Sequence, residues 1–430
     1  MKHRLGFGYW MLFSSVSVSS LGDGLRLVAM PLLALSLTHS TVDISLIMVV
    51  AALPGLLAGP LIGVWADRLD RRRILTATHL VRGGLVLCFA TVVLSGGIAL
   101  WQIYLMTAAL SVAELFAESA TFALISLPVP PELLEKTNSR FFSARMLTQQ
   151  VLGSPVAGVL FGVAVCAPFF AEGGLFLAAA LLSLLIPVLK RPGPAAGPEA
   201  LPEPEAEAVP APDGPHPSML SQLREGVGII SRNPLLRIIL VSEMVLNFWM
   251  LIATALMVVY AKRDLGLTNA QYTLLFTAAA LGSVLGGLLA PVLVRRLGVE
   301  WTMALALLVT GLSRLALGLT TGPWLAIATF FTCGAAIFVW DIAAASYQQR
   351  VTPNHLQGRM HATLYAFSYG AAVVAALTGG LLAELIGVRA VVVIGAAAVL
   401  VIGGYWLRLA LRGRPPTADA IVPLETVTAS

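Results

Sequence analysis

What most constrains this chain is the length of its apolar runs. A helix needs about 20 apolar residues to cross the hydrocarbon core of a bilayer. Twelve segments come to that length: 9–37, 44–66, 74–94, 98–124, 138–163, 169–189, 235–260, 271–294, 301–319, 323–348, 360–385 and 388–411. The expected fold is an all-α membrane protein with twelve transmembrane helices. Charge content agrees, at 11% of the 430 residues against about 25% in soluble domains.

The gaps between runs carry the next layer of information. Residues 191–218 are rich in Pro, Ala, Gly and Glu and read as a disordered linker with nothing to bury. After it, Leu223, Val227 and Ile230 recur at helical spacing among Arg224, Glu225 and Arg232, the pattern of a short helix at a membrane surface. The expected organisation is therefore a six-helix half at 1–190, the linker at 191–218, a surface helix with a second six-helix half at 219–412, and a tail at 413–430. Six spans, a linker and six spans suggest two pseudo-repeats, each built of inverted triplets. A faint echo supports this: Gly59 stands eight residues before Asp67-Arg68 much as Gly287 precedes Arg295-Arg296.

Orientation follows from the basic residues. The hairpin after the second run holds Arg68, Arg71, Arg72 and Arg73, and such a loop stays on the side where it is made. Lys2, Arg4, Lys136, Arg140, Lys190, Arg191, Arg224, Arg232, Arg295, Arg296, Arg350, Arg359, Arg408, Arg412 and Arg414 fall on that same face. The other receives only Lys262, Arg263 and Arg389. Both termini and the linker are thus expected in the cytoplasm, with the protein multi-pass in the cell membrane.

Other classes find no support. Cys88, Cys166 and Cys333 lie far apart in apolar runs, without the spacing of a disulfide framework or a zinc site. The first run is too long for a cleavable signal. No phosphate loop, metal cluster or nucleophile constellation appears, so neither an enzyme, a cofactor nor a metal is expected. The basic excess reads as topology and not as a nucleic-acid footprint. Isolated His39, His355 and His361 at span ends read as solvated.

A charge within a membrane helix is expensive, so it usually lines a cavity or finds a partner. Asp23 sits midway along the first span with Arg26 three residues on, hence on one face. Glu114 and Glu118 share a face of the fourth, Glu243 and Asn247 a face of the seventh, and Asp341 follows Trp340 in the tenth. A carboxyl group that alternates between a dry cavity and a guanidinium can load and release a proton. Asp23, Glu114, Glu118, Glu243 and Asp341 are therefore proton-coupling candidates, with Arg26 and Arg145 as charge partners. Glu114 and Glu118, one turn apart, should repel, so that one holds a proton near neutral pH. Alternatively Asp23–Arg26 is a static pair, and Asp341 reaches the headgroups. Arg82 and Arg314 read as structural pairs.

The hairpin also has a particular order. Gly63-x-x-x-Asp67-Arg68-x-x-Arg71-Arg72 resembles the loop between helices two and three of the major facilitator superfamily, with Asp70 where a small residue is usual. Gly153, Pro155, Gly158 and Gly162 in the fifth span resemble a degraded form of that superfamily's antiporter motif; Ser154 and Val159 replace two of its glycines. Leu21-Gly22-Asp23 through Pro31, and Arg224-Glu225-Gly226 through Leu235, resemble the macrolide-efflux and enterobactin-export branch. The resemblance implies that helices one, four, seven and ten line a central cavity. It implies a gate in which Asp67 and Arg68 latch the two halves; lipid anchoring is the other reading, favoured for Arg72 and Arg73. For Gly158-x-x-x-Gly162, tight helix packing is the plainer alternative. The fourth span lacks the arginine of a common antiporter motif.

The expectation is a monomeric secondary transporter that exports an amphipathic small molecule, such as an antibiotic, drug or siderophore, in exchange for protons. Phe116, Asn247, Phe248, Trp249 and Trp340 are candidates for the cavity wall. An importer of a small nutrient and a non-transporting scaffold are the alternatives.

Overall fold

The computed structural model describes residues 6–68, 70–126, 137, 140–141, 143–187, 228, 234–351, 371, 374–375 and 378–412, with side chains at all of these but 56–68, 122–123, 126 and 349–351. The linker, the surface helix, the tail, most of the eleventh span and the side chains of Gly63, Asp67 and Arg68 lie outside that description, as do Lys2, Arg4, Lys136, Lys190, Arg191, Arg359, Arg414, His355 and His361.

The described residues are helical almost throughout. In chain order the helices are α1 (Phe7–Leu37), α2 (Thr41–Arg68), α3 (Arg71–Leu94), α4 (Leu100–Ser126), α5 (Ser143–Val163), α6 (Ala167–Leu184), α7 (Pro234–Asp264), α8 (Asn269–Leu297), α9 (Val299–Leu319), α10 (Pro323–Val351), α11 (378–386) and α12 (Val388–Leu411). Ten of them are long and apolar enough to cross a membrane. Burial is inverted relative to a soluble protein: Arg82 and Glu172 are each 1% exposed while Leu288 is 71% exposed. Only a surrounding apolar solvent makes that distribution favourable.

Neighbour relations repeat at an offset of six helices, as two pseudo-repeats require. α1 packs on α6 as α7 does on α12, and α3 on α6 as α9 does on α12. The pairs α2–α4 and α3–α4 likewise match α8–α10 and α9–α10. Within the second repeat, α8 turns into α9 on Gly298 and α11 into α12 on Gly387, each at φ 83°. That conformation disfavours a side chain, so a single glycine suffices to turn the chain.

Local chemistry sets the helix ends. Asp70, the departure in the hairpin, caps α3: its Oδ1 accepts from the backbone N–H of Arg72 at 2.9 Å and Arg73 at 3.2 Å. The Arg72 guanidinium reaches back to the Leu184 carbonyl at the end of α6, tying the loop to the protein. Thr268 caps α8, with Gln271 completing a reciprocal box. Thr268→Ala is expected to lower stability by about 1 kcal/mol, read as a fall in melting temperature in detergent, with Thr268→Ser close to wild type.

The two repeats meet through α5–α8 and α2–α7 and through one apolar cluster holding Leu25, Ile44, Ala157, Leu256 and Tyr272. Among the described residues, the hydrogen bonds joining α1–α6 to α7–α12 gather at one end. The Arg263 guanidinium donates to the His39 carbonyl at 2.9 Å and lies 3.0 Å from its Nδ1. Ser40 donates to Glu384 at 2.9 Å, and Thr41 to the Gly380 carbonyl at 3.0 Å. His39 is thus engaged by Arg263 and is not merely solvated.

Candidate functional site

The charges that the spans carry converge in the first repeat. α1 supplies Asp23 and Arg26, one turn apart, with Arg26 Nη2 2.7 Å from Asp23 Oδ1. α3 brings Arg82, whose guanidinium pairs with the same Asp23 oxygen and lies 4.0 Å over the Phe176 ring. α4 presents Glu114 and Glu118, and α5 presents Arg145 between them: Nη2 is 3.1 Å from Glu114 Oε1 and Nη1 2.7 Å from Glu118 Oε1. Arg26 closes the chain, 3.4 Å from Glu114 Oε2 and 3.3 Å, through Nε, from Glu172 Oε1 on α6. The pairs run from Arg82 to Glu118 through five helices.

This arrangement changes two readings. Asp23–Arg26 is not an isolated pair, because each partner holds a second group on another helix. Glu114 and Glu118 do not confront each other alone, since Arg145 bridges them and offsets their repulsion. Three guanidiniums face four carboxylates, so the network carries one surplus negative charge when every carboxyl is ionised. The surplus belongs to the whole network.

A polar cavity of about 350 Å³ opens beside it, reached by Asp23, Glu114, Glu118 and Arg145. His79 of α3 also lines this cavity. It is 2% exposed, stacks on Phe176 with ring centroids 6.4 Å apart, and neither ring nitrogen has a hydrogen-bond partner among the described residues. Glu172 and His79 escaped the sequence reading. Glu172 lies near the start of its span, where a charge passes for a boundary residue; His79 carries no formal charge to attract notice.

The backbone makes room for the network. Residues Leu147–Gly153 of α5 form a π-helical segment, a distortion frequent at functional sites. There α5 comes against α1 so closely that a Cβ on Gly24 would strike the Gln149 carbonyl, and one on Gly153 would sit 2.9 Å from Gly24 Cα. A Cβ on Gly158 would press into Thr273 of α8, with Oγ1 at 2.9 Å, whereas Gly162 has open space around it. The two motif glycines therefore do different things: Gly158 seats α5 on the second repeat, whereas a Cβ at Gly162 would meet nothing among the described residues. Pro155 lies in the first turn of the α-helical segment that follows the π segment.

In the second repeat, the Gln348 amide donates to Glu243 Oε1 at 3.0 Å, and Asn247 donates to the Glu243 carbonyl within α7. A second cavity of about 300 Å³ lies between α7, α8, α9, α10 and α12, with Met146 and Gln150 of α5 along its edge. None of the aromatic candidates lines it. Trp340 is 1% exposed and stands edge-on to Trp406 at 5.7 Å, and the Trp406 indole donates to Ser242 at 2.9 Å. Trp249 lies against Gly395 on α12, Phe248 stands edge-on to Trp249, and Phe116 packs on the cluster of Tyr9 and Leu12. Their sequence neighbours Met250 and Asp341 face the cavity instead. One residue along a helix is about 100° of rotation, enough to exchange core for cavity.

Comparison with known proteins gives a concordant picture. The model of the Major Facilitator Superfamily matches residues 12–261 and 244–428. An uncharacterised MFS-type transporter, YfiS of Bacillus subtilis (strain 168), is 26% identical over 396 residues, 89% of this chain and 88% of that protein. Macrolide efflux protein A of Streptococcus pyogenes is 21% identical over 391 residues, 88% of this chain and 90% of that one. Among solved structures, a bacterial homologue of the iron transporter ferroportin in an inward-facing state superposes with TM-score 0.71 at 16% identity, covering 95% of this chain and 99% of the other. The nucleoside transporter NupG follows with TM-score 0.68 at 12% identity, covering 95% and 100%. At such identities the likeness is one of fold.

Proposed function

The chain belongs to the major facilitator superfamily, and from that premise we propose that this multi-pass membrane transporter exports an amphipathic small molecule by alternating access in exchange for protons. The observation that carries the coupling is the charge surplus: four carboxylates on three guanidiniums across α1, α3, α4, α5 and α6. Such a network is neutral with one proton aboard, and a polar cavity gives that proton a path. Tilting of α4 or α5 would redistribute the arginines and expel it.

The basic residues support placing both termini and the linker in the cytoplasm, which makes the end closed by Arg263 the extracellular one. The division at 1–190, 191–218, 219–412 and 413–430 follows the same reading: two rocking halves on a tether, acting as a monomer. Arg71 and Arg72, with Gly63, Asp67 and Arg68, form the cytoplasmic gate in this scheme. Export, as opposed to uptake, draws support from the macrolide efflux relative.

The test is pH-gradient-driven accumulation of a macrolide in inside-out proteoliposomes with an acid lumen. Glu114→Gln and Glu172→Gln are each expected to cut the gradient-driven component at least about ten-fold, as removal of a proton-transfer group does, while leaving downhill counterflow. Equal accumulation with and without the pH gradient in the wild type would overturn proton exchange.

A further inference from the structure

The cavity of the second repeat has a chemistry of its own. Its walls are Met250, Met257, Phe276, Phe330 and Phe338, soft and adaptable surfaces suited to a hydrophobic guest. Two charges break this lining, Arg314 and Asp341. They are far apart: Arg314 is five residues from the end of α9 and Asp341 eighteen from the start of α10 at the same side of the bundle. At 1.5 Å rise per residue they sit about 20 Å apart along the helices, too far to neutralise each other.

Their surroundings differ as well. The Arg314 guanidinium lies against the Met250 sulfur. Asp341 is exposed, and the open space it faces is the cavity. Among the described residues it pairs with no Lys, Arg or His. Glu243 of α7 is already held by the Gln348 amide at 3.0 Å and does not line this cavity, so Asp341 is the one carboxylate in the lining. An unpaired carboxylate beside apolar walls in a membrane protein leaves a favourable place for a positive charge.

We propose that this cavity binds an organic cation, its charge against Asp341 and its apolar body among the Met and Phe side chains towards Arg314. The orientation rests on the exporter reading above: with the Arg263 end closed to the outside, cargo arrives from the cytoplasmic end, where Asp341 stands. Binding itself does not depend on that reading. Asp341 is thereby the counter-ion of the cargo, and proton handling stays in the first repeat.

The test uses two probes of one shape and opposite charge, tetraphenylphosphonium and tetraphenylborate, bound to the purified full-length protein in nanodiscs with no gradient. The wild type is expected to bind the phosphonium and to bind the borate at least about ten-fold more weakly, the difference one charge contact makes. Asp341→Asn is expected to weaken the phosphonium about ten-fold or more, and Asp341→Glu to restore it. Since Asp341 holds no other group among the described residues, its Asn variant should keep the wild-type melting temperature, which is measured alongside. Equal binding of the two ions by the wild type, or unchanged phosphonium binding by a folded Asp341→Asn protein, would overturn the proposal. Intact, Asp341-dependent binding with no gradient-driven flux would instead sink only the exporter reading.

Discussion

Asp23→Asn is expected to cause the largest loss of any single side-chain change, in stability and transport together. Asp23 is 6% exposed and holds two guanidiniums, of Arg26 and Arg82. Arg26 keeps Glu114 and Glu172 when Asp23 is gone. Arg82 keeps no carboxylate among the described residues, only the face of Phe176, and its Nε already lacks a partner. Leaving one member of a buried pair uncompensated costs about 3–5 kcal/mol, and the Phe176 contact, already made in the wild type, offsets none of that. The single variant should melt several degrees lower in detergent and lose pH-driven export. Asp23→Asn with Arg82→Gln removes both charges together and should regain most of the stability without regaining coupling. A single variant that melts within about 1 °C of wild type, a shift worth about 1 kcal/mol for a chain of 430 residues, would show that Asp23 does not hold Arg82 in place.

The second large effect is expected at the seam between α8 and α10. Gly282, Gly286 and Gly334 bring the two backbones into direct contact: a Cβ on Gly286 would strike the Ala335 carbonyl oxygen and lie 3.0 Å from its Cα, and one on Gly334 would lie 2.9 Å from the Ala279 carbonyl carbon. These obstacles are backbone atoms with no rotamer to yield. Small residues at membrane helix crossings allow such approach, and overpacking a close-packed crossing costs about 1–3 kcal/mol or more. Gly286→Val should push α8 from α10, open the wall of the apolar cavity, and leave little monodisperse protein on size-exclusion chromatography. Gly287→Ala is the control one position along, where the nearest atoms are the Phe338 ring edge at 3.3 Å, and should behave as wild type. Similar yields from both would show that the seam tolerates separation.

These two sites differ in how far the sequence announced them. Asp23 and Arg26 stand out because a charge within an apolar run is conspicuous, and Arg145 could be named as a partner of Glu114 and Glu118 on the same ground. Glu172 obeyed the same rule but stood too near a span end to be noticed. Gly282, Gly286 and Gly334 are three among 39 glycines, and only the crossing of α8 and α10 tells them from Gly162, where a Cβ would find open space among the described residues. The aromatic candidates lie outside the lining of the apolar cavity for a related reason. Picking Trp340 over Asp341, or Trp249 over Met250, required the rotation of each helix about its axis, which apolar runs this uniform do not reveal.

Run length thus determined, by itself, that the chain crosses a membrane as a helical bundle, and the placement of basic residues set the expectation for its ends. Those properties depend on the transfer of single helices into lipid, a local quantity that sums along the chain. Which charges meet, which glycines touch and which side chains face a cavity were decided only by the tertiary structure. They depend on how independently stable helices cross and rotate against one another, where an arginine on α5 meets carboxylates on α4 because the π-helical segment and Gly24 let α5 come against α1.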